Sequence, residues 1–221
     1  MAEKSKYVIA LDQIQAKTHS FLKTRGFRKK GRTFNREADE KGIFQVINFQ
    51  SGMFPIGEHY EVPGFRTSSY GTFTVNIGVL VKELYDMEDW HKPTNFYQEV
   101  DCQARTRLPQ LLGKKDEWWS FDGNLDYITD EIVLGLNTIG FEYFELYNTR
   151  EKFIKNYGRF GDAPPRAKLD VALVVLHANR SDGEKLFQEY FDQIDGNKGH
   201  PSHKEYVQEL AEKLGVVLNG G

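Results

Sequence analysis

Phe73, Val75, Ile77, Val79 and Val81 alternate with Thr72, Thr74, Asn76, Gly78 and Lys82, and this period of two constrains the fold more than any other feature of the chain. Successive side chains of a strand point to opposite faces of a sheet, so the pattern requires one packed apolar face and one largely polar face. Leu80 is the apolar exception on the polar side. Weaker strands are expected over residues 27–36 and 43–50, joined by the polar turn Ala38 to Gly42. Two short ones fit Cys102 to Leu108 and Trp118 to Phe121. The first connections are loops rather than crossover helices, which predicts antiparallel pairing.

Helices flank the strands. Val8, Leu11, Ile14, Phe21 and Leu22 share one face of a helix predicted from about Lys4 to Arg25. Gly26-Phe27 has the form of a glycine helix stop followed by a hydrophobe folding back on the last turn. The same form recurs at Ile139-Gly140-Phe141 and Leu214-Gly215-Val216. Ile128, Ile132, Leu136 and Ile139 place a second helix over residues 126–140. Gly158 to Arg166, with Pro164-Pro165, is the expected linker to three further helices at 167–179, 182–195 and 202–214. Ser181-Asp182-Gly183-Glu184 and Ser202-His203-Lys204-Glu205 match capping boxes opening the last two. The expected organisation is therefore an α+β domain over residues 1–157, a linker at 158–166 and a helical extension over 167–221. The sheet should have four to five antiparallel strands with helices packed on one face.

Composition narrows the function classes. At 221 residues the chain can bury roughly 70% of its unfolded surface and needs no metal or disulfide staple. Its net charge of −3 argues against a globally basic nucleic-acid binder, though not against a local basic patch. Cys102 is the single cysteine, which fits a reducing cytoplasm. No signal peptide is read at the N-terminus, and the aliphatic run Val171 to Leu176 is far short of the roughly 20 residues of a membrane helix. A cytoplasmic protein without membrane contact is the expectation.

Four segments carry a family resemblance. They are Leu22 to Arg36 (a helix end, then Gly-Phe-x-Lys-Lys-Gly-x-Thr-Phe-x-Arg), Val46-Ile47-Asn48-Phe49-Gln50, Phe73 to Val79, and Cys102-x-x-Arg105-x-Arg107-Leu108 followed by Trp118-Trp119. In that order they resemble the domain-of-unknown-function family 4304 over about residues 5–148. The resemblance implies a bacterial, cytosolic protein of a family with no established reaction, and it carries over no catalytic residue. The tail from about 160 onward lies outside it.

The residues themselves offer several candidate sites. Lys23, Arg25, Arg28, Lys29, Lys30 and Arg32 place six positive charges in ten residues. If 27–36 is one strand, Arg28, Lys30, Arg32 and Arg36 point one way and could face phosphates or an acidic partner. The same stripe would also suit an edge strand whose cations block aggregation. Gly26 to Thr33 approaches a phosphate-loop pattern, but its order is helix then strand, the reverse of what that loop requires. Asn48, Gln50 and Asn76 are amides in strands that favour β-branched and aromatic residues. Flanked by Arg105, Arg107 or Trp118, they would form a polar, aromatic-rimmed groove; otherwise they cover a solvated sheet face.

Chemistry-bearing residues are scarcer. Cys102 reads as a buried thiol rather than a nucleophile, because no base is placed beside it. His200-Pro201-Ser202-His203 straddles a helix start and has no third ligand, so no metal is expected, and no cofactor motif is present. Glu58, His59 and Arg66 are the residues of the 52–69 loop with acid–base or anion-binding chemistry. The favoured reading is a non-enzymatic protein-binding or accessory module, toxin neutralisation being one role that fits. A protein partner is favoured over nucleic acid, and the sequence sets no oligomeric state. The competing readings are an enzyme with its pocket under the 52–69 loop and a weak nucleic-acid binder using the basic segment 23–32.

Overall fold

The computed structural model describes residues 4–52, 69–114, 118–158, 166–196 and 200–219. The body of the 52–69 loop, including Glu58, His59 and Arg66, lies outside the described residues, as does most of the expected linker. The chain divides into two compact units. A sheet unit comprises Met1–Lys82 and Lys92–Asn148, and a helical unit comprises Glu83–His91 and Thr149–Gly221.

The sheet unit is an α+β fold built on an antiparallel sheet. Helix α1 (Lys6–Thr24) is capped by Ser5, whose hydroxyl accepts from Val8 N, and it buries Leu11, Ile14 and Leu22. Gly26, at φ +82°, stops it as the sequence predicts. Strands β1 (Arg28–Lys30), β2 (Thr33–Glu37), β3 (Ile43–Ser51), β4 (Thr72–Val81) and β5 (Ala104–Arg107) follow each other across the sheet, and β6 (Trp119–Ser120) also pairs with β4. The expected single strand over 27–36 is instead a hairpin. Gly31, at φ +60°, opens a two-residue turn that sets Lys30 opposite Thr33. The sheet therefore has six strands, one more than the upper expectation.

One face of this sheet carries Phe34, Ile47, Phe49, Val75 and Ile77, all buried. Helical segments cover it: His19 of α1 meets the Phe34 ring, and an added Cβ at Gly140 would lie in ordinary contact, 3.5 Å, with Ile77 Cδ1. Gly140 does not end the helix. Helix α4 (Leu125–Gly135) runs through a π-helical turn, Leu136–Gly140, into α5 (Phe141–Glu145), with Gly140 at φ −66°. The glycine is an ordinary helical residue there, not a left-handed cap.

The opposite face is covered in part by residues 95–102. Asn35 binds the Tyr97 backbone, Phe44 packs on the Tyr97 ring at 4.6 Å, and Cys102 sits against Gly78. An added Cβ at Gly78 would lie 2.7 Å from Cys102 Sγ, so only glycine fits at that point of β4. A short helix α3 (Leu108–Leu111) continues from β5.

The helical unit contains α2 (Lys82–Asp86), α6 (Arg150–Asn156), α7 (Ala167–Ala178), α8 (Arg180–Gly196) and α9 (Pro201–Leu214). The last three match the expected helices, whereas α2 and α6 are too short to show in periodicity. Neither capping box is used. Asn179 Oδ1 accepts from Asp182 N at the start of α8, and His200 precedes α9 with Ser202 already inside the helix. Gly215, at φ +65°, closes α9 as predicted.

Charged side chains knit this unit. Arg150 holds Glu83 through two hydrogen bonds of 2.6 and 2.7 Å. Arg166 donates to Glu88 at 2.9 Å and to Asp170 at 3.0 Å, while Tyr206 and Tyr157 donate to the same two carboxylates. Each buried carboxylate thus has a cation and a hydroxyl, which offsets its desolvation. No helix among the described residues is long and apolar enough to cross a membrane.

Candidate functional site

Strand registers bring the predicted amides into one line. Lys30 of β1 lies opposite Thr33 of β2, Thr33 opposite Asn48 of β3, Asn48 opposite Asn76 of β4, and Asn76 opposite Arg107 of β5. Directly paired residues share a face, so these five polar side chains form a cross-strand row with a cation at each end. At about 4.8 Å per strand spacing the row is roughly 19 Å long. Gln50 and Thr74 form the next pair on the same face.

Hydrogen bonds hold the row's floor. Asn48 Nδ2 donates to Thr33 Oγ1 at 2.9 Å, and Thr33 Oγ1 donates onward to Gln98 Oε1 at 2.8 Å. Asn76 Nδ2 donates to Gln50 Oε1 at 2.9 Å. Thr33 and Asn76 are buried, Asn48 is half-buried and Gln50 exposed, so the floor reaches solvent at β3. The buried Thr74 hydroxyl has no hydrogen-bond partner among the described residues, which leaves one polar group next to Gln50 unsatisfied.

Aromatic and cationic side chains lie at the β5 end of the row. The Arg107 guanidinium lies over the half-buried Trp118 ring at 5.5 Å. Trp119, pointing the other way, is buried and donates from Nε1 to Glu131 at 2.7 Å. Arg105 is exposed, one row along from Arg107, 3.7 Å from Glu99. Burial pushes the Glu99 carboxyl above its ordinary range, against the pull of Arg105 and Arg107.

The basic cluster is arranged differently from the expectation. Arg28 and Lys30 do share a side, but Arg32 sits in the hairpin turn, where it donates to Ser51 Oγ at 2.6 Å. Arg36 falls on the helix-covered face, bound to Gln45 Oε1 and to the Arg25 carbonyl. The turn at Gly31 reverses the chain and breaks the parity that one strand would have kept. Thr33, Asn35 and Gln98 also belong to this region, and Gly31, where β1 turns into β2, is the sequence signal of the reversal.

Cys102 is buried with its thiol pushed well above the usual range by burial, reinforced by the Glu99 and Asp101 charges. A thiol in this state is not a thiolate nucleophile. Among the described residues, no three His, Cys, Asp or Glu side chains gather as a metal site.

Residues 56–146 match the family model of a domain of unknown function, DUF4304, the family that the sequence motifs resemble. The matched stretch contains Asn76, Arg105, Arg107 and Trp118, while Lys30, Thr33, Asn48 and Gln50 precede it. No curated protein and no solved structure matches the chain.

Proposed function

We propose that this protein is a non-enzymatic binding module that holds a segment of a partner protein on the polar row of its sheet. The observation carrying the reading is the register that aligns Lys30, Thr33, Asn48, Asn76 and Arg107 across five strands. Amide side chains both donate and accept, so Asn48 and Gln50, the amides of the floor that reach solvent, suit the alternating N–H and C=O groups of an extended chain. Cations at its ends favour acidic flanks. The inert state of Cys102 speaks against a cysteine-based enzyme. A bacterial, cytoplasmic accessory role, toxin neutralisation included, is compatible with this reading.

Partner capture tests it. Tagged protein is incubated with lysate of its source organism at low and high salt, and both protein and nucleic acid are analysed. The expected result is a stoichiometric protein that survives high salt and is depleted about tenfold by Asn48→Ala with Gln50→Ala. Those side chains are half-buried and exposed, so helical content should be unchanged. Undiminished capture by the double variant, or nucleic acid alone released by salt, would remove the reading.

A further inference from the structure

The cations of the first hairpin are held in place but not neutralised. Arg28 donates to the Asn95 carbonyl at 3.0 Å, and Arg25 to Asn137 Oδ1 at 2.7 Å. Lys29 Nζ lies 5.9 Å from the centre of the Phe34 ring and Lys30 Nζ 6.0 Å from that of Phe96. Arg32 donates to the Ser51 hydroxyl. None of these five, nor Lys23, is ion-paired among the described residues, whereas Lys4, Lys17, Arg105 and Lys114 of the same unit are. Glu37 feels Arg28 at a distance but is bound by Lys41 and the Gly42 amide. In a chain of net charge −3, this leaves a fixed, concentrated positive surface.

The surface coincides with a sheet edge. Strand β1 ends the sheet, and the Phe49 N to Arg32 O bond of 3.0 Å fixes the ladder phase. Thr33 must then bond back to Lys30, and alternation turns the Lys29 N–H and C=O outward. Along this edge Arg28 and Lys30 point to one side and Lys29 to the other. An approaching strand therefore meets opposite charge on both of its faces only if it is acidic.

We infer that β1 is a docking edge for an acidic, extended segment of a partner protein, which adds to the sheet as a further strand. The inference rests on the binding-module reading and names the chemistry of its partner. Backbone bonds to Lys29 would give register, and carboxylates alternating across the segment would meet Arg28 and Lys30 on one side and Lys29 on the other. The lysines exclude neutral and basic strands from the same edge. Single-stranded nucleic acid fits less well, because base stacking needs an open ring face. Here Lys29 lies over Phe34, which is buried, and Lys30 over Phe96.

Fluorescence anisotropy with a labelled peptide of about eight residues in Glu-Glu-Thr-Thr repeats, which puts carboxylates on both faces of a strand, tests the inference, beside a Lys-for-Glu counterpart and an oligothymidine of similar length. Wild type should bind the acidic peptide at least about tenfold more tightly than either control. Lys29→Glu with Lys30→Glu should abolish that preference and gain affinity for the lysine peptide. Lys29→Pro, which also removes the outward N–H, should bind the acidic peptide more weakly than Lys29→Ala. Equal binding by the Pro and Ala variants, tighter binding of oligothymidine, or no preference for the acidic peptide would overturn it. Asn48→Ala with Gln50→Ala should leave peptide binding intact, so failure at the edge is separable from failure of the polar row.

Discussion

Asn35 behaves as a piece of backbone. It is fully buried on β2, donating from Nδ2 to the Tyr97 carbonyl at 2.9 Å and accepting at Oδ1 from Tyr97 N at 2.6 Å. The pair copies a strand contact and straps residues 95–102 to the sheet, where Tyr97 and Cys102 are buried. An apolar replacement of similar size leaves a buried N–H and a buried C=O unpaired. Asn35→Leu should therefore cost about 2–5 kcal/mol in urea unfolding. A loss below about 1 kcal/mol would mean that the segment holds itself without the strap. This residue was hidden in the sequence for a specific reason. In one continuous strand it opposes Arg28 in orientation; in the hairpin it pairs with Arg28 directly. Asn48, Gln50 and Asn76 were legible because their strands contain no such reversal, and parity along β3 and β4 carries straight into the structure.

Glycines at element boundaries show how far a dipeptide pattern can be read. Gly26 and Gly215 are left-handed helix stops, but Gly140, in the same glycine–hydrophobe setting, packs within a continuing helical segment. Local sequence does not show whether a glycine is needed for positive φ, as at Gly26 and Gly215, or is one residue of a continuing helix, as at Gly140. Gly183 is a third kind, a glycine that a close neighbour requires. On α8 it faces α7 so tightly that an added Cβ would lie 2.2 Å from Leu176 Cα and 2.4 Å from Leu176 N. Alanine gains about 1 kcal/mol of intrinsic helix propensity at an interior position. Separating two packed helices to admit it costs more, typically about 1–3 kcal/mol for overpacking alone and more when backbone must move. Gly183→Ala should accordingly lower the thermal midpoint, despite the propensity gain. A raised midpoint would show that α7 and α8 slide apart freely.

Across the whole molecule, alkaline pH acts on tyrosines whose phenols are desolvated in both units. Burial raises the phenol pKa of Tyr143 and Tyr147 in the sheet unit and of Tyr190 and Tyr206 in the helical unit, Tyr206 to about 12. A group whose folded pKa is raised stabilises the fold fully below its unfolded pKa, and that contribution is lost as pH rises through the folded value. For Tyr206 the window runs from the ordinary tyrosine value near 10.0 to about 12. Acid acts in the opposite sense at Asp170. Burial raises its carboxyl despite Arg166 and Tyr157, so protonation is easier in the fold than in the unfolded chain and that residue does not drive acid unfolding. Titration from neutral pH upward should show phenolate absorbance and loss of helical circular dichroism rising together between about pH 10 and 12. Tyr206→Phe removes one titrating group together with its 3.1 Å hydrogen bond to Glu88. It should lower stability at neutral pH and flatten the alkaline loss. Phenols that titrate near pH 10 while helicity persists would mean that these hydroxyls reach solvent without unfolding, and their desolvation in the fold would have to be abandoned.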